Sequence, residues 1–536
     1  MNPILATIYS PAELEAKYPK RPEGVVTRFA PSPTGFLHIG GLYAALISER
    51  FSHQTNGTFI LRIEDTDKKR EVAGAAELIH LALEGYGISV DEGPVEGPYG
   101  PYVQSQRAAY YATYVQQLLD RGLAYPCFCS TEELETIRSE QEAKKVRPGY
   151  WGEWARWRDQ PEVQVEQALM AGRPYVIRLR SSGDITKRLH VEDAVKGALE
   201  LPENDQDVVL LKADGLPTYH LAHVVDDHLM RTTHVLRADE WLSSLSLHLQ
   251  LFEVLGFETP IFGHISPIQK MEGQSKRKLS KRKDPEANID FYTAEGYPVQ
   301  AVIEYLMTLV NSGFEDWRRQ HQGEDSRIFR IALDQISKSG ALFDFVKLNS
   351  VSQEVIASLT ADEAYSGALG WAQRFDPELA TVMAEDGDYA VKVFGIERGD
   401  AKARKDIAKW SDIRPEFGFF FDSIFNQQSL VVQQLLDEVS IVKAQPIIDD
   451  LLRTYDPSDT REVWFEKLQS IVKLYGYAES FKLYKADPSA YAGHVGDVAK
   501  LLRISLTVRF NSPDLSQVMR TMGIQRVTAR LHVAIS

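Results

Sequence analysis

Two segments of the chain carry residue types able to handle a phosphorylated ligand. The first is Pro31-Ser32-Pro33-Thr34-Gly35-Phe36-Leu37-His38-Ile39-Gly40-Gly41. A glycine-bearing turn from strand to helix lets backbone N–H groups and the helix N-terminus approach an anion, and His38 adds ring donors at that point. The plainer alternative is a capped helix start with an incidental histidine, and spacing does not separate the two. The second segment is Lys276-Arg277-Lys278-Leu279-Ser280-Lys281-Arg282-Lys283, with six basic residues in eight. Such a run is usually a solvated loop or a nucleic-acid contact. The sharper reading is a loop that clamps a triphosphate and stabilises charge on departing pyrophosphate. His220, His223 and His228 beside Asp226 and Asp227 read either as a metal cluster or as ordinary polar packing, and Cys127-Phe128-Cys129 offers two thiols.

These groups need elements to position them. Gly24 to Ala30 is a short β-rich run that Pro31, Pro33 and Gly35 must end. An apolar helical pattern then runs through Ile39, Leu42, Ala45 and Leu46, followed by a strand from Thr58 to Ile63 and a turn at Asp65-Thr66-Asp67. Strand, loop, helix, strand is the opening of a parallel α/β sheet. Residues 100–205 are less regular: an acidic helix near Thr131 to Lys145, three tryptophans (Trp151, Trp154, Trp157) and a strand from Tyr175 to Arg180. They read as an insertion, after which Val208 to Leu211, an Asp214-Gly215 turn and His234 to Arg237 resume the α/β pattern. From Tyr297 the spacing turns helical (Val299, Val302, Ile303, Leu306, Val310), and no strand is expected after about residue 345. Near the end, Ser512-Pro513-Asp514 predicts an N-cap, a first-position proline and an acidic first turn. Leu515, Val518, Met519 and Met522 share one face, Gly523 ends that helix, and Val527, Leu531 and Ile535 begin another.

A chain of 536 residues holds several domains, and at 44% hydrophobic, 10% aromatic and 25% charged it is neither disordered nor fibrous. Sixty Lys plus Arg against 75 Asp plus Glu leave a net charge of −15, which argues against binding nucleic acid through bulk charge but leaves room for a local basic strip. Two cysteines cannot build a disulfide framework. No apolar run approaches the ~18 residues of a membrane helix, and the N-terminus, with Glu13 and Glu15, does not suit a targeting peptide. A reducing, cytoplasmic setting without membrane contact is expected.

Taken together, the His38-Ile39-Gly40-Gly41 loop and the Lys278-Leu279-Ser280-Lys281-Arg282 loop resemble the two signatures of class I aminoacyl-tRNA synthetases. Arg28 to Gly35, Leu61 to Asp67, Asp214 to His220 and Val224 to His228 are similar to glutamyl-tRNA synthetases, and Leu501 to Thr507 to the last domain of the bacterial type. The resemblance implies ATP-dependent activation of L-glutamate and transfer to the 3′ end of its tRNA, with Mg2+ accompanying ATP. It implies that His38 and Gly40 hold the phosphates and that Lys281, with Lys278 and Ser280, stabilises pyrophosphate, while Glu240 lies near the adenosine. It places Arg28, Arg237 and Tyr219 at the substrate's side-chain carboxylate, Glu64 at the α-ammonium, and Ala30 and Ser32 along the pocket. By residue type alone, both arginines read as ion pairs. His223 stands where the family usually has asparagine, beside the α-carboxylate, and Asp239 shortens one carboxylate of the usual glutamate pair. Some relatives bind zinc through Cys-x-Cys with a later Tyr and Cys. Here Tyr150 is present but Trp154 replaces the last cysteine, so no zinc is expected.

The implied architecture is α/β: a Rossmann-type catalytic domain (1–103 and 206–270), an inserted α+β acceptor-binding domain (104–205), a signature-loop and stem-contact domain (271–345) and an all-α anticodon-binding region (346–536). A monomer is expected. The rivals are a glutamyltransferase acting on a queuosine-modified tRNA, which lacks the anticodon-binding half, and a catalytically silent tRNA-binding paralogue, which loss of His38 or Lys281 would favour.

Overall fold

The computed structural model describes residues 5–67, 72, 74–399, 403–437, 439 and 441–535. The chain divides into two compact units, one of residues 1–289 and 306–344, the other of 290–305 and 345–536.

In the first unit, α1 (Pro11–Lys17) starts on a Ser10–Glu13 capping box and precedes β1 (Val26–Phe29). The expected turn follows, then α2 (Ile39–His53) and β2 (Thr58–Leu61), which pairs in parallel with β1 from Val26↔Thr58 to Phe29↔Leu61. Ile39, Leu42, Ala45 and Leu46 are fully buried, as the helical spacing predicts. After α3 (Ala75–Gly85) and α4 (Ala108–Asp120) comes an antiparallel region. It holds β3 (Ala124–Cys127), α5 (Thr131–Ala143), α6 (Glu162–Met170), β4 (Val176–Leu179), the hairpin of β5 (Arg188–Asp193) and β6 (Gly197–Pro202), and β7 (Val209–Leu211).

Strand β7 departs from the sequence expectation. It does not extend the parallel sheet but pairs antiparallel with β4, at Ile177↔Leu211, in the order β3-β4-β7. A three-residue apolar strand carries no mark of its partner, which lies about thirty residues upstream. The Asp214-Gly215 turn (Gly215 φ 78°) then directs the chain into α7 (Tyr219–Leu229). A second parallel βαβ unit follows: β8 (His234–Ala238), α8 (Leu245–Leu255) and β9 (Ile261–Ile265), with His234↔Ile261 to Ala238↔Ile265 in register. Within the first unit, the two βαβ elements meet at β1 and β8, where the Thr233 N–H donates to the Val26 carbonyl (3.0 Å). The hairpin of β10 (Gln269–Glu272) and β11 (Ser275–Lys278) leads into the basic loop.

The second unit is helical, built around buried Phe420, Leu468, Leu502 and Val518, and among the described residues no strand follows Lys278. Its last helix, Leu515–Ile535, is broken at Gly523 (φ 77°, ψ 158°), where the sequence places an end. The cap differs from expectation. Asp514, not Ser512, accepts the Gln517 N–H (3.2 Å), because the Ser512 hydroxyl is taken by Arg503 and the Pro513 carbonyl. The Ile535 side chain lies outside the described residues. No described helix is long and apolar enough to cross a membrane.

Candidate active site

A cavity of about 1190 Å3 opens at the C-terminal ends of β1 and β8, the usual ligand crevice of an open parallel sheet. Of the residues expected at the site, Arg28, Ala30, Ser32, His38, Gly40, Glu64, Tyr219, Arg237, Glu240 and Lys278 line it. His223 lies behind the Tyr219 ring, and Ser280 and Lys281 lie outside the lining.

At one end, His38 is the N-cap of α2. Its Nδ1 accepts the Gly40 N–H (2.9 Å), so the cap reading of this histidine holds and the other ring nitrogen is left for a ligand. Burial, then Lys281 and Lys278, pull its pKa below the ordinary value. With Nδ1 an acceptor, the ring proton belongs on Nε2, which makes it a neutral donor. Gly40 leaves room for the ring, since a Cβ there would meet His38 Nδ1 at 3.1 Å.

The basic loop is less free than its charge suggests. Arg277 grips Asp284 with both Nη atoms (2.6 and 2.8 Å), the Ser280 N–H donates to the same carboxylate (2.9 Å), and Leu279 is buried. Lys278 pairs with Glu240 (2.7 Å), and the Lys281 ammonium donates to the Phe36 carbonyl two residues before His38. Burial lowers the Lys281 pKa.

The other end is a buried charge network. Arg28 Nε reaches Asp227 (3.2 Å), as does Arg62 Nη1 (2.6 Å), and His223 Nδ1 donates to the same carboxylate (2.6 Å). Burial pushes Asp227 up, but Arg28, Arg62 and His223 outweigh it and hold it well below the carboxylate range. Asp226 accepts from Arg107 (2.6 Å), Gln104 (3.0 Å) and Tyr111 (2.9 Å). Glu64, which takes Arg62 Nη2 (3.1 Å), is pushed up to about 7, with burial the largest cause. His223 is pushed down to about 3 by burial, so its Nε2 is a neutral acceptor. Arg237 Nε and Nη1 donate to His264 Nε2 and His248 Nδ1, both at 3.0 Å, while Nη2 is buried without a hydrogen bond among the described residues.

The ion pair expected of Arg28 by residue type is therefore present, whereas Arg237 bonds to imidazoles. The three helix histidines face different partners: His220 meets His248, His223 meets Asp227 and His228 meets Glu15. The Cys127 and Cys129 sulfurs converge on the Tyr150 hydroxyl (3.3 and 3.4 Å), with Trp154 in the same apolar cluster. A bond to Cys129, outweighing burial, lowers Cys127 to about 5. Sequence reasoning did not assign Arg62, Asp226, Asp227, Trp241, His248 or His264 to the site. The i,i+4 spacing of His223 and Asp227 on one helix face was the available signal.

A family model described as tRNA synthetases class I (E and Q), catalytic domain, matches residues 24–350. A glutamate–tRNA ligase of Sorangium cellulosum (strain So ce56) is 46% identical over 560 residues, covering 98% of each chain. One of Clostridium perfringens (strain 13 / Type A) is 47% identical over 523 residues, covering 96% of each. The crystal structure of a glutamate tRNA ligase from Elizabethkingia meningosepticum CCUG26117, in complex with its amino acid, has a TM-score of 0.76 and 31% identity, covering 96% of this chain and 99% of that one. On the parallel βαβ units, the two loops that meet at His38 and these matches along nearly the whole length, the chain belongs to the glutamate–tRNA ligase family of class I tRNA synthetases.

Proposed function

We propose that the chain activates L-glutamate with MgATP and transfers it to the 3′ end of a glutamate-accepting tRNA. The observation that carries this reading is the polarity of the cavity. One end offers a helix N-terminus and neutral His38, and the other offers Arg237, beside the Tyr219 hydroxyl, with a buried N–H that makes no hydrogen bond among the described residues.

In the first step the glutamate α-carboxylate attacks the α-phosphorus of ATP and the bond to pyrophosphate breaks. His38 Nε2 and the Gly40 backbone hold the phosphates. Lys281, with Lys278 and Ser280, takes the charge that develops on pyrophosphate, which requires Lys281 to leave the Phe36 carbonyl and Lys278 to leave Glu240. Glu240 then faces the adenosine. Arg28, Arg237 and Tyr219 take the side-chain carboxylate, Glu64 takes the α-ammonium, and Ala30 and Ser32 border the substrate. His223, with Nδ1 committed to Asp227, stands where the family usually has asparagine and supports the pocket from behind the Tyr219 ring. In the second step a hydroxyl of the terminal adenosine attacks the activated carbonyl and AMP leaves. Alignment and charge stabilisation suffice for both steps.

We assign residues 1–103 and 206–270 to the catalytic Rossmann-type domain, 104–205 to acceptor binding, 271–345 to stem contact and 346–536 to anticodon binding. The helical second unit and matches along 96–98% of the chain support this over the shorter queuosine-directed transferase. The retained His38 and Lys281 speak against a silent paralogue. The test is charging of purified glutamate- and glutamine-accepting tRNAs with each amino acid. Leaving a buried charge partner unpaired costs on the order of 2–5 kcal/mol, so glutamate should be preferred to glutamine about 30-fold or more. Equal use of glutamine overturns the pocket assignment.

A further inference from the structure

We propose that Asp193, His264 and His248 are positioning residues that hold Arg237 through neutral acceptors with no carboxylate in direct contact, and that this arrangement makes the pocket select a carboxylate over an amide. The proposal rests on the reading that Arg237 receives the substrate's side-chain carboxylate.

The wiring follows from donor and acceptor inventories. A guanidinium only donates, so His264 Nε2, 3.0 Å from Arg237 Nε, must be the lone-pair nitrogen. The His264 proton then sits on Nδ1, where the Asp193 carboxylate takes it at 2.6 Å. Asp193 is itself fixed at the end of β5, where its other oxygen accepts the N–H groups of Val195 (3.0 Å), Lys196 (2.8 Å) and His264 (3.1 Å). On the second branch, His248 Nδ1 accepts from Arg237 Nη1, which puts the His248 proton on Nε2, facing His220 Nδ1 at 3.0 Å. His248 and His264 are fully buried, and burial keeps each below its ordinary pKa and hence neutral.

A carboxylate in place of either imidazole would orient Arg237 equally well but would neutralise it, as Asp227 does for Arg28. Two neutral acceptors satisfy Nε and Nη1 without a carboxylate in contact, and Nη2, with the Tyr219 hydroxyl nearby, makes no hydrogen bond among the described residues. Only an anion answers both. A glutamine side chain supplies an acceptor oxygen without the charge.

The test is ATP–pyrophosphate exchange with glutamate-accepting tRNA present, with KM measured separately for glutamate and ATP and thermal unfolding checked for each variant. In Asp193→Asn the amide donates to His264 Nδ1, the proton shifts to Nε2, and two donors face each other at Arg237. Removing one partner of a buried donor costs about 1–3 kcal/mol, so Asp193→Asn and His264→Ala should raise the glutamate KM about tenfold with the ATP KM within about twofold. His264→Gln, whose Oε1 replaces Nε2 as acceptor, should recover most of the loss. His248→Glu should keep Arg237 oriented yet reduce the preference for glutamate over glutamine about tenfold or more. An unchanged glutamate KM in His264→Ala, or His264→Gln no better than His264→Ala, overturns the proposal. If Asp193→Asn does not fold, the His264 pair decides. Arg237→Met separates the two readings, because an unchanged glutamate KM there removes Arg237 from the substrate altogether, whereas a raised one with silent histidine variants removes only the positioning role.

Discussion

Raising the pH from 6 to 8 should tighten glutamate binding about tenfold through Glu64. This carboxyl is 7% exposed, and burial lifts its pKa to about 7 against the pull of Arg62 and Arg28. An α-ammonium is bound by the carboxylate and not by the acid. One unit below the pKa about a tenth of the groups are ionised and one unit above about nine-tenths, a ratio near tenfold or ~1.4 kcal/mol. The same shift has a sign for stability. The folded state keeps the Glu64 proton between the ordinary value of 4.5 and about 7, where the unfolded chain has lost it. Stability contributed by this group is therefore full below 4.5 and falls by ~3 kcal/mol as pH rises through that window. Glutamate KM at pH 6, 7 and 8, in the wild type and in Glu64→Gln, measures the first effect. The cavity histidines all sit below their ordinary values, and the variant carries any share they have. A glutamate KM that is flat with pH, or an equal slope in Glu64→Gln, would falsify the assignment of the ammonium to Glu64.

Lys281→Ala should lower the rate of adenylate formation far more than it weakens glutamate binding, because its charge matters where pyrophosphate departs; unchanged turnover in single-turnover exchange refutes that role. Asp227→Asn leaves Arg28 and Arg62 facing a neutral group, and breaking a buried pair costs on the order of 3–5 kcal/mol, readable in urea unfolding at neutral pH. Since Asp227 is held well below its ordinary pKa, its contribution is present at neutral pH and is lost toward strong acid, so the gap between variant and wild type should close as pH falls. Elemental analysis of the purified protein should find no stoichiometric zinc. One zinc per chain would mean that Cys127, Cys129 and Tyr150 recruit a fourth ligand that Trp154 cannot supply.

The opening of the sheet was legible in the sequence because its signals are local. Pro31 and Pro33 end β1, the spacing of Ile39, Leu42 and Leu46 sets the buried face of α2, and Gly523 breaks the last helix. Strand β7 was misread because its partner is decided by packing rather than by its own three residues. The Ser512 cap failed for a similar reason, since Arg503, on the preceding helix, takes the hydroxyl first. Spacing brought the two loops only to alternatives, and it is the class I resemblance that favours the phosphate-handling ones. The support around Arg237 left no trace in either. His248, His264 and Asp193 stand 11, 27 and 71 residues from their partners in that chain of bonds, and an isolated histidine on an apolar element reads as packing.

The placement of charge ties the pocket to one amino acid. Arg28, Arg62 and Arg107 face Asp226, Asp227 and Glu64, three guanidinium groups against three carboxylates once Glu64 is ionised. The Asp193 charge is answered locally by three backbone N–H groups and the His264 ring. Asp193 balances Arg237 in the sum, but the neutral His264 ring stands between them, so among the described residues no carboxylate touches the Arg237 guanidinium. Glutamate, with two carboxylates and one ammonium, carries one surplus negative charge, and glutamine carries none. Burying glutamate gives Arg237 a carboxylate in direct contact, while burying glutamine leaves it desolvated beside an amide. In a low-dielectric site an unpaired ion is the more costly outcome. The selectivity thus comes less from what Arg237 touches in the substrate than from what the protein withholds from it.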